Sequence, residues 1–406
     1  MFINITPLRK HRDYRLLYFG QIISFVGSMV SYVAVPYQIY DLTKDNAMVG
    51  MIGIVQLVPV VIFGLLGGTF ADRINRRKLL LVSEMLMCLF VVGLAVNASR
   101  VAPSVPMTFI LVALIQSVLG FHRPAMEAMT QSLVEKKDYA AVGALSSFRY
   151  SFGAIVGPSL GGLIIATLGI KGAFILDAFT FLGAVLCLTL MNEIPTPAKS
   201  EKSAWMDAKE GLRYAISKPE LVGTYLIDIV AMVFAFPVAL FPAMSQNWGG
   251  AKAAGILFSA MAVGSLVTTF LSGWTEKVKY RGRGVVIAAA FWGVFIIGTG
   301  FANNLWVCFA FLALAGASDM VSGLFRGVIW NETVPNTLRG RLSGIEMISY
   351  MTGPLLGNAR AGWVAAKYSV GFSLYSGGLV CLLAVIVTAK FLPQFWNYQS
   401  QIATEK

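Results

Sequence analysis

Long apolar runs separated by short polar knots set the pattern of this chain. The runs fall at 16–40, 47–71, 79–98, 107–128, 143–168, 172–191, 221–243, 253–273, 284–302, 305–327, 342–365 and 371–392. At 1.5 Å per residue, each is long enough to cross the ~30 Å of a bilayer's hydrocarbon as a helix. The pattern predicts an all-α membrane protein of twelve spans, with both ends on the cytoplasmic side. The longest polar stretch, 192–220, contains Pro195-Thr196-Pro197 and then an amphipathic pattern from Trp205 to Ile216. It predicts a cytoplasmic linker with an amphipathic helix along the inner surface, between a first six-helix bundle at 1–191 and a second at 221–406.

The two halves repeat weakly. Arg123-Pro124-Ala125 answers Arg326-Gly327-Val328, and Gly157-Pro158-x2-Gly161 answers Gly353-Pro354-x2-Gly357. Gly273-Trp274-Thr275-Glu276-Lys277 repeats, in degenerate form, the polar knot between the second and third runs. Parallel repeats of this kind place a substrate site near the bilayer midplane between two pseudo-symmetric bundles.

Composition agrees with the pattern. Only 13% of the 406 residues are charged and 57% are hydrophobic, against about 25% charged in soluble domains. A soluble enzyme is excluded. The net charge of +12 is not a nucleic-acid footprint: of the 32 Lys and Arg, only Lys44, Arg100, Lys171, Lys252 and Lys367 fall in segments on the outer side, as the positive-inside rule requires. Met1–Arg15 is polar and basic and the first apolar run is long enough to span, so no cleavable secretory signal is expected. Cys88, Cys187, Cys308 and Cys381 lie far apart inside apolar runs and read as small buried hydrophobes; with only His11 and His122 beside them, no metal site is expected. No Gly-x4-Gly-Lys-Ser/Thr loop is present. No cofactor is expected, and a proton gradient is an adequate energy source: about 2.3 kcal/mol per charge per 100 mV, against about 1.4 per tenfold concentration ratio.

Ionisable residues inside spans are functional by default. Asp319 lies some 13 residues past Trp306, roughly 20 Å into the span, and the repeat sets it opposite Gln116. A carboxylate at that depth costs about 2.5–3.5 kcal/mol on insertion scales and suits a proton carrier. Asp228 is the second proton-coupling candidate. Arg123 and Glu127 stand four apart on one helix face and form a self-neutralising intramembrane pair. Asp177 and Glu346 read as helix-end anchors or gate partners, with Arg149 as the partner of one of them. Glu84 is the sole charge between Leu79 and Ala98. Tyr32, Tyr37, Gln38, Gln116, Tyr225, Phe236 and Tyr350 are candidates for a substrate cavity, with Phe234 and Trp330 adding to an aromatic lining that would suit a large aromatic or amphipathic solute. Gly153, Gly157, Pro158, Gly161 and Gly162 form a small-residue stripe that lets another helix approach closely.

The knot Gly68-x3-Asp72-Arg73-x2-Arg76-Arg77-Lys78 resembles the signature loop between helices two and three of major facilitator superfamily transporters, with Asn75 where that family usually has glycine. The stripe from Gly153 to Gly162 is similar to the span-five motif of proton-coupled drug antiporters. Further runs, Val33–Ile39, Leu240–Trp248, Gly255–Phe258 and Leu338–Gly344, resemble the branch that holds siderophore exporters and macrolide-efflux proteins. Gly27 is followed by Ser28, where macrolide-efflux members often carry an acid. The resemblance implies the major facilitator fold and a proton-coupled exporter of the bacterial inner membrane, working by alternating access as a monomer. The cargo it implies is a siderophore or a related hydrophobic or aromatic small molecule; a multidrug or macrolide pump is the alternative. A nutrient importer fits the span-five motif less well, and a membrane sensor would bring a soluble signalling domain. Gly68, Asp72, Arg73, Arg76, Arg77 and Lys78 are implied as a gate, Asp72 latching onto the helix end near Gly340–Gly344, where the dipole favours an anion.

Overall fold

A computed structural model describes residues 4–71, 74–192, 204–335 and 338–399, with side chains described outside 64–71, 204–209, 340–341, 343–345 and 347–348. The expected all-α membrane architecture is what the chain adopts. Among the described residues there are no strands, and ten helices are long and apolar enough to cross a membrane. The long helices are α1 (Arg12–Thr43), α2 (Asn46–Ala71), α3 (Arg76–Ala98), α4 (Val105–Ser132) and α5 (Tyr139–Thr189). After them come α6 (Ala204–Ser217), α7 (Pro219–Ala235), α8 (Ala251–Leu271), α9 (Arg281–Gly300), α10 (Leu305–Thr333), α11 (Arg339–Lys367) and α12 (Val370–Phe391).

Two local departures from the apolar runs have clear causes. The runs 143–168 and 172–191 form two helices, the two arms of α5, joined at Gly169, whose φ of 74° and ψ of 175° are open to glycine alone. The run 221–243 stops early, at Ala235. Pro237 forces Phe236 into an extended conformation, and the chain resumes as a short 3₁₀ turn and the helix Phe241–Gln246. Elsewhere prolines 36, 59, 124, 158 and 354 sit inside continuous helices, as membrane helices tolerate where neighbours satisfy the freed groups.

The chain divides into two compact units. The amino-terminal unit comprises Met1–Leu42, Val58–Lys202 and Gly250–Ser259; the carboxy-terminal unit comprises Thr43–Leu57, Ser203–Gly249 and Ala260–Lys406. In the first, α3 packs on α4 and α5 over a core of Leu17, Leu80, Ala125, Met129 and Leu188. In the second, α9 packs on α10 and α12, while α7 packs on α11 and α12. The helix α6 belongs to this unit: Tyr214 donates to the carbonyl of Thr333 at 2.8 Å, and Ala215 joins Leu221, Val334 and Leu342 in a small core. The chain's end returns to the same unit, where Phe395 is fully buried and Tyr398 donates to Glu332 at 2.9 Å. Burial, foremost, pushes the Tyr398 phenol up to about 12.

Candidate functional site

Close glycine packing fixes matching helix pairs in the two units. On α5, Gly157 lies against Met29 of α1, and a Cβ there would stand 2.9 Å from the Val26 carbonyl oxygen. Gly153 lies on the Phe25 ring and Gly161 on Val30, so three members of the small-residue stripe form one interface. Gly162 faces the other way, with a Cβ position 2.8 Å from Cα of Gly255, and the carbonyl of Pro158 faces Gly255 as well. In the carboxy-terminal unit, Gly353 and Gly357 of α11 lie against Met232 and Phe236 of α7 in the same manner.

That second pair of helices carries the charged site. α7 buries Leu221, Thr224, Ile227, Asp228, Ala231 and Ala235, so its one acid inside the span faces protein. α10 carries Asp319 and Arg326, seven residues or about two turns apart on one face. The Arg326 guanidinium reaches both acids: Nη1 is 2.5 Å from Oδ1 of Asp228, and Nη2 is 3.5 Å from Oδ1 of Asp319. The Asp228 side chain is 7% exposed, Arg326 20% and Asp319 40%. Glu346 of α11 is in electrostatic reach of Arg326 and Asp228. One turn before Asp228, Tyr225 accepts a hydrogen bond from the indole of Trp330 at 3.2 Å. The structure thus brings together both proton-coupling candidates and two of the aromatics. Their partner Arg326 stood in the sequence only as a marker of the repeat. The rule that singled out the two acids, that a charge inside a span has a purpose, applies to it equally.

This arrangement has one base and two acids within an ion-pair radius. Arg326 cannot lose its proton, so it offsets one carboxylate fully, and a proton on the other acid would leave no buried charge unpaired.

Other candidates are placed singly. Tyr32 is 39% exposed and meets Phe258 edge to face, and the Tyr37 hydroxyl lies by Gly250. Gln38 is 2% exposed, Gln116 half-buried, and Tyr350 47% exposed. Phe236 stacks on Trp292, ring centroids 6.5 Å apart. A groove of about 430 Å³ in the carboxy-terminal unit is lined by Trp274, Arg283, Phe291 and Phe325 among others, and by none of the cavity candidates.

Within the polar knot, Asp72 and Arg73 lie outside the described residues, as do the side chains near Gly340 and Gly344, and Gly68 is described only as a part of α2. The other bases have concrete tasks. Arg76 donates to the Ala128 carbonyl at 3.1 Å, and Arg77 to the carbonyls of Leu188 and Thr189 at 2.9 and 2.8 Å, so both close helix carboxyl ends, where a cation is favoured. Lys78 is exposed, but its amide donates to the Asn75 side chain at 3.1 Å. The asparagine that replaces the usual glycine is the amino cap of α3.

Arg149 faces α4, where it touches Met126, and is in electrostatic reach of Tyr18, Tyr14, Arg123 and Glu127. Glu127 therefore sees two arginines. One expectation is corrected. Asp177 is no helix-end anchor: it lies eight residues past the bend at Gly169, is 1% exposed, and accepts hydrogen bonds from Ser31 and Thr180.

The profile of the transmembrane secretion effector family matches residues 3–405. The enterobactin exporter EntS of Shigella boydii serotype 18 is 26% identical over 400 residues, covering 96% of this chain and 95% of that protein. EntS of Escherichia coli O157:H7 matches to the same extent. Among solved structures, the nucleoside transporter NupG superposes with a TM-score of 0.71 at 12% identity, covering 95% of this chain and 99% of that one. A bacterial homologue of the lysosomal transporter Spinster gives 0.72 at 16%, covering 98% of both. These two share the fold. With a family profile matched almost end to end, the chain belongs to the transmembrane secretion effectors, non-enzymatic transporters of the major facilitator superfamily.

Proposed function

We propose that this chain is a proton-coupled secondary exporter that moves a siderophore, or a related hydrophobic or aromatic small molecule, across the bacterial inner membrane by alternating access. The observation that carries the cargo is the likeness to the enterobactin exporter along 96% of the chain. The acid that macrolide-efflux members often carry after the span-one glycine is absent at Ser28, which moves the coupling to Asp319 and Asp228. The coupling is supported by Asp228, Arg326 and Asp319: protonation of Asp319 leaves Arg326 to Asp228, and deprotonation returns a second anion to the guanidinium. Twelve spans with both ends cytoplasmic, two six-helix bundles, a monomeric working unit and a latch at Asp72 complete the proposal.

Deletion of the gene under iron starvation, with siderophore measured inside and outside the cell, tests the cargo. Loss outside with accumulation inside is expected; unchanged siderophore with new macrolide sensitivity would select the drug pump. In proteoliposomes, transport should rise with an imposed pH gradient and lose that dependence in Asp319→Asn. Equal transport with and without the gradient refutes coupling.

A further inference from the structure

The amino-terminal unit buries a second set of charges. Glu84 of α3 is 0% exposed; its Oε1 accepts from Nε2 of Gln21 at 2.7 Å and lies 2.9 Å from Nε2 of His122, itself 6% exposed. Oε2 is buried and makes no hydrogen bond to the described residues. One turn along α3, Cys88 leans on the carbonyl of Ala178, 3.5 Å away, and so reaches Asp177, which interacts electrostatically with Glu84. The two acids are joined along α1 by a buried polar face, Gln21, Ser24, Gly27 and Ser31, spaced at three and four residues. Gly27 belongs to that face because a Cβ would stand 2.7 Å from Oδ1 of Asp177. The acid missing after Gly27 in α1 is thus met by one arriving at the same glycine from α5.

The charges do not balance. Among the described residues, the groups facing this interior are Glu84 and Cys88 from α3, His122 from α4, Asp177 from α5, and the neutral Gln21 and Ser31 from α1; Tyr18, one turn earlier, gives its hydroxyl to the Leu145 carbonyl. The nearby bases are engaged elsewhere: Arg76 and Arg77 at helix ends, Arg149 with Glu127. One imidazolium at most can oppose two carboxylates, and an uncompensated anion in a dry interior is costly. A proton shared among these groups would relieve that imbalance.

We propose that Glu84, His122 and Asp177 form a second, transport-linked proton site, carried by the amino-terminal unit alone, with the polar face of α1 connecting its two acids. The inference rests on the proton-coupled reading above. The full-length protein in proteoliposomes tests it, with enterobactin as probe and protons counted per enterobactin moved. Glu84→Gln and Asp177→Asn should each lower that ratio by about half, one of two coupled sites being lost, while enterobactin binding stays unchanged. Infrared difference spectra of the purified protein on acidification should lose one protonated-carboxyl band in each variant, distinct from the band lost in Asp319→Asn. A purely structural cluster predicts altered thermal stability with the wild-type ratio and bands, and that result overturns the proposal even if Asp319→Asn uncouples transport. If the wild type moves enterobactin without protons, the coupled reading falls and this site with it.

Discussion

The two units solve the same problem of burying acid in opposite ways. In the carboxy-terminal unit a permanent cation, Arg326, stands between Asp228 and Asp319. In the amino-terminal unit, among the described partners, Glu84 meets one imidazole and one amide, and Asp177 two hydroxyls. The first cluster holds a cation whatever the proton concentration; the second, on the proposal above, holds one only when His122 carries the shared proton. Removing the cation should therefore hurt far more than removing an acid from the cluster without one.

Arg326→Ala is the most severe test. It strands two carboxylates, one of them buried, and should cost about 3–5 kcal/mol, read as a fall in the thermal unfolding temperature in detergent. Glu84→Gln keeps the shape and the acceptor and should cost about 1 kcal/mol. Equal losses would abolish the contrast between the units. The matched glycines give a finer comparison. A Cβ on Gly357 meets first the backbone oxygen of Met232, whereas one on Gly157 meets first Cβ of Met29 and a backbone oxygen, that of Val26, only at 2.9 Å. Gly157→Ala should cost about 1–3 kcal/mol and Gly357→Ala more, by the same unfolding measurement. Gly169→Ala tests conformation without crowding, since a Cβ there has nothing within 4 Å; it should cost about 1–3 kcal/mol through the backbone alone. Smallest is the cap: Asn75→Ala should lose about 1 kcal/mol and Asn75→Gly only a few tenths, which would explain how the family's usual glycine serves at that position.

Much of this was legible in the sequence because a bilayer imposes a crude, strong signal. Apolar length located the helices, and rarity located Asp228 and Asp319. Pairing was not legible. Asp228 and Arg326 lie on different helices nearly a hundred residues apart, and only helix packing sets which faces meet. Glu84 and His122 read as an isolated charge and a histidine without company, since 38 residues separate them. Asn75 was visible as a departure from pattern, but its task as a cap depends on where α3 starts, a matter of one residue.

The bend at Gly169 has a mechanical consequence. The arm of α5 before it lies on Phe25, Met29 and Val30 of α1; the arm after it holds Gly27 and Ser31 through Asp177 and Thr180, and Gly20 through Cys187. One folded helix thus grips α1 from two sides, like tongs closed around a rod, with a single residue as pivot. A change of charge at Asp177 acts on the same rod that the glycine face of the other arm holds. The buried acid of one arm and the glycine face of the other are joined at one residue, with no loop between them.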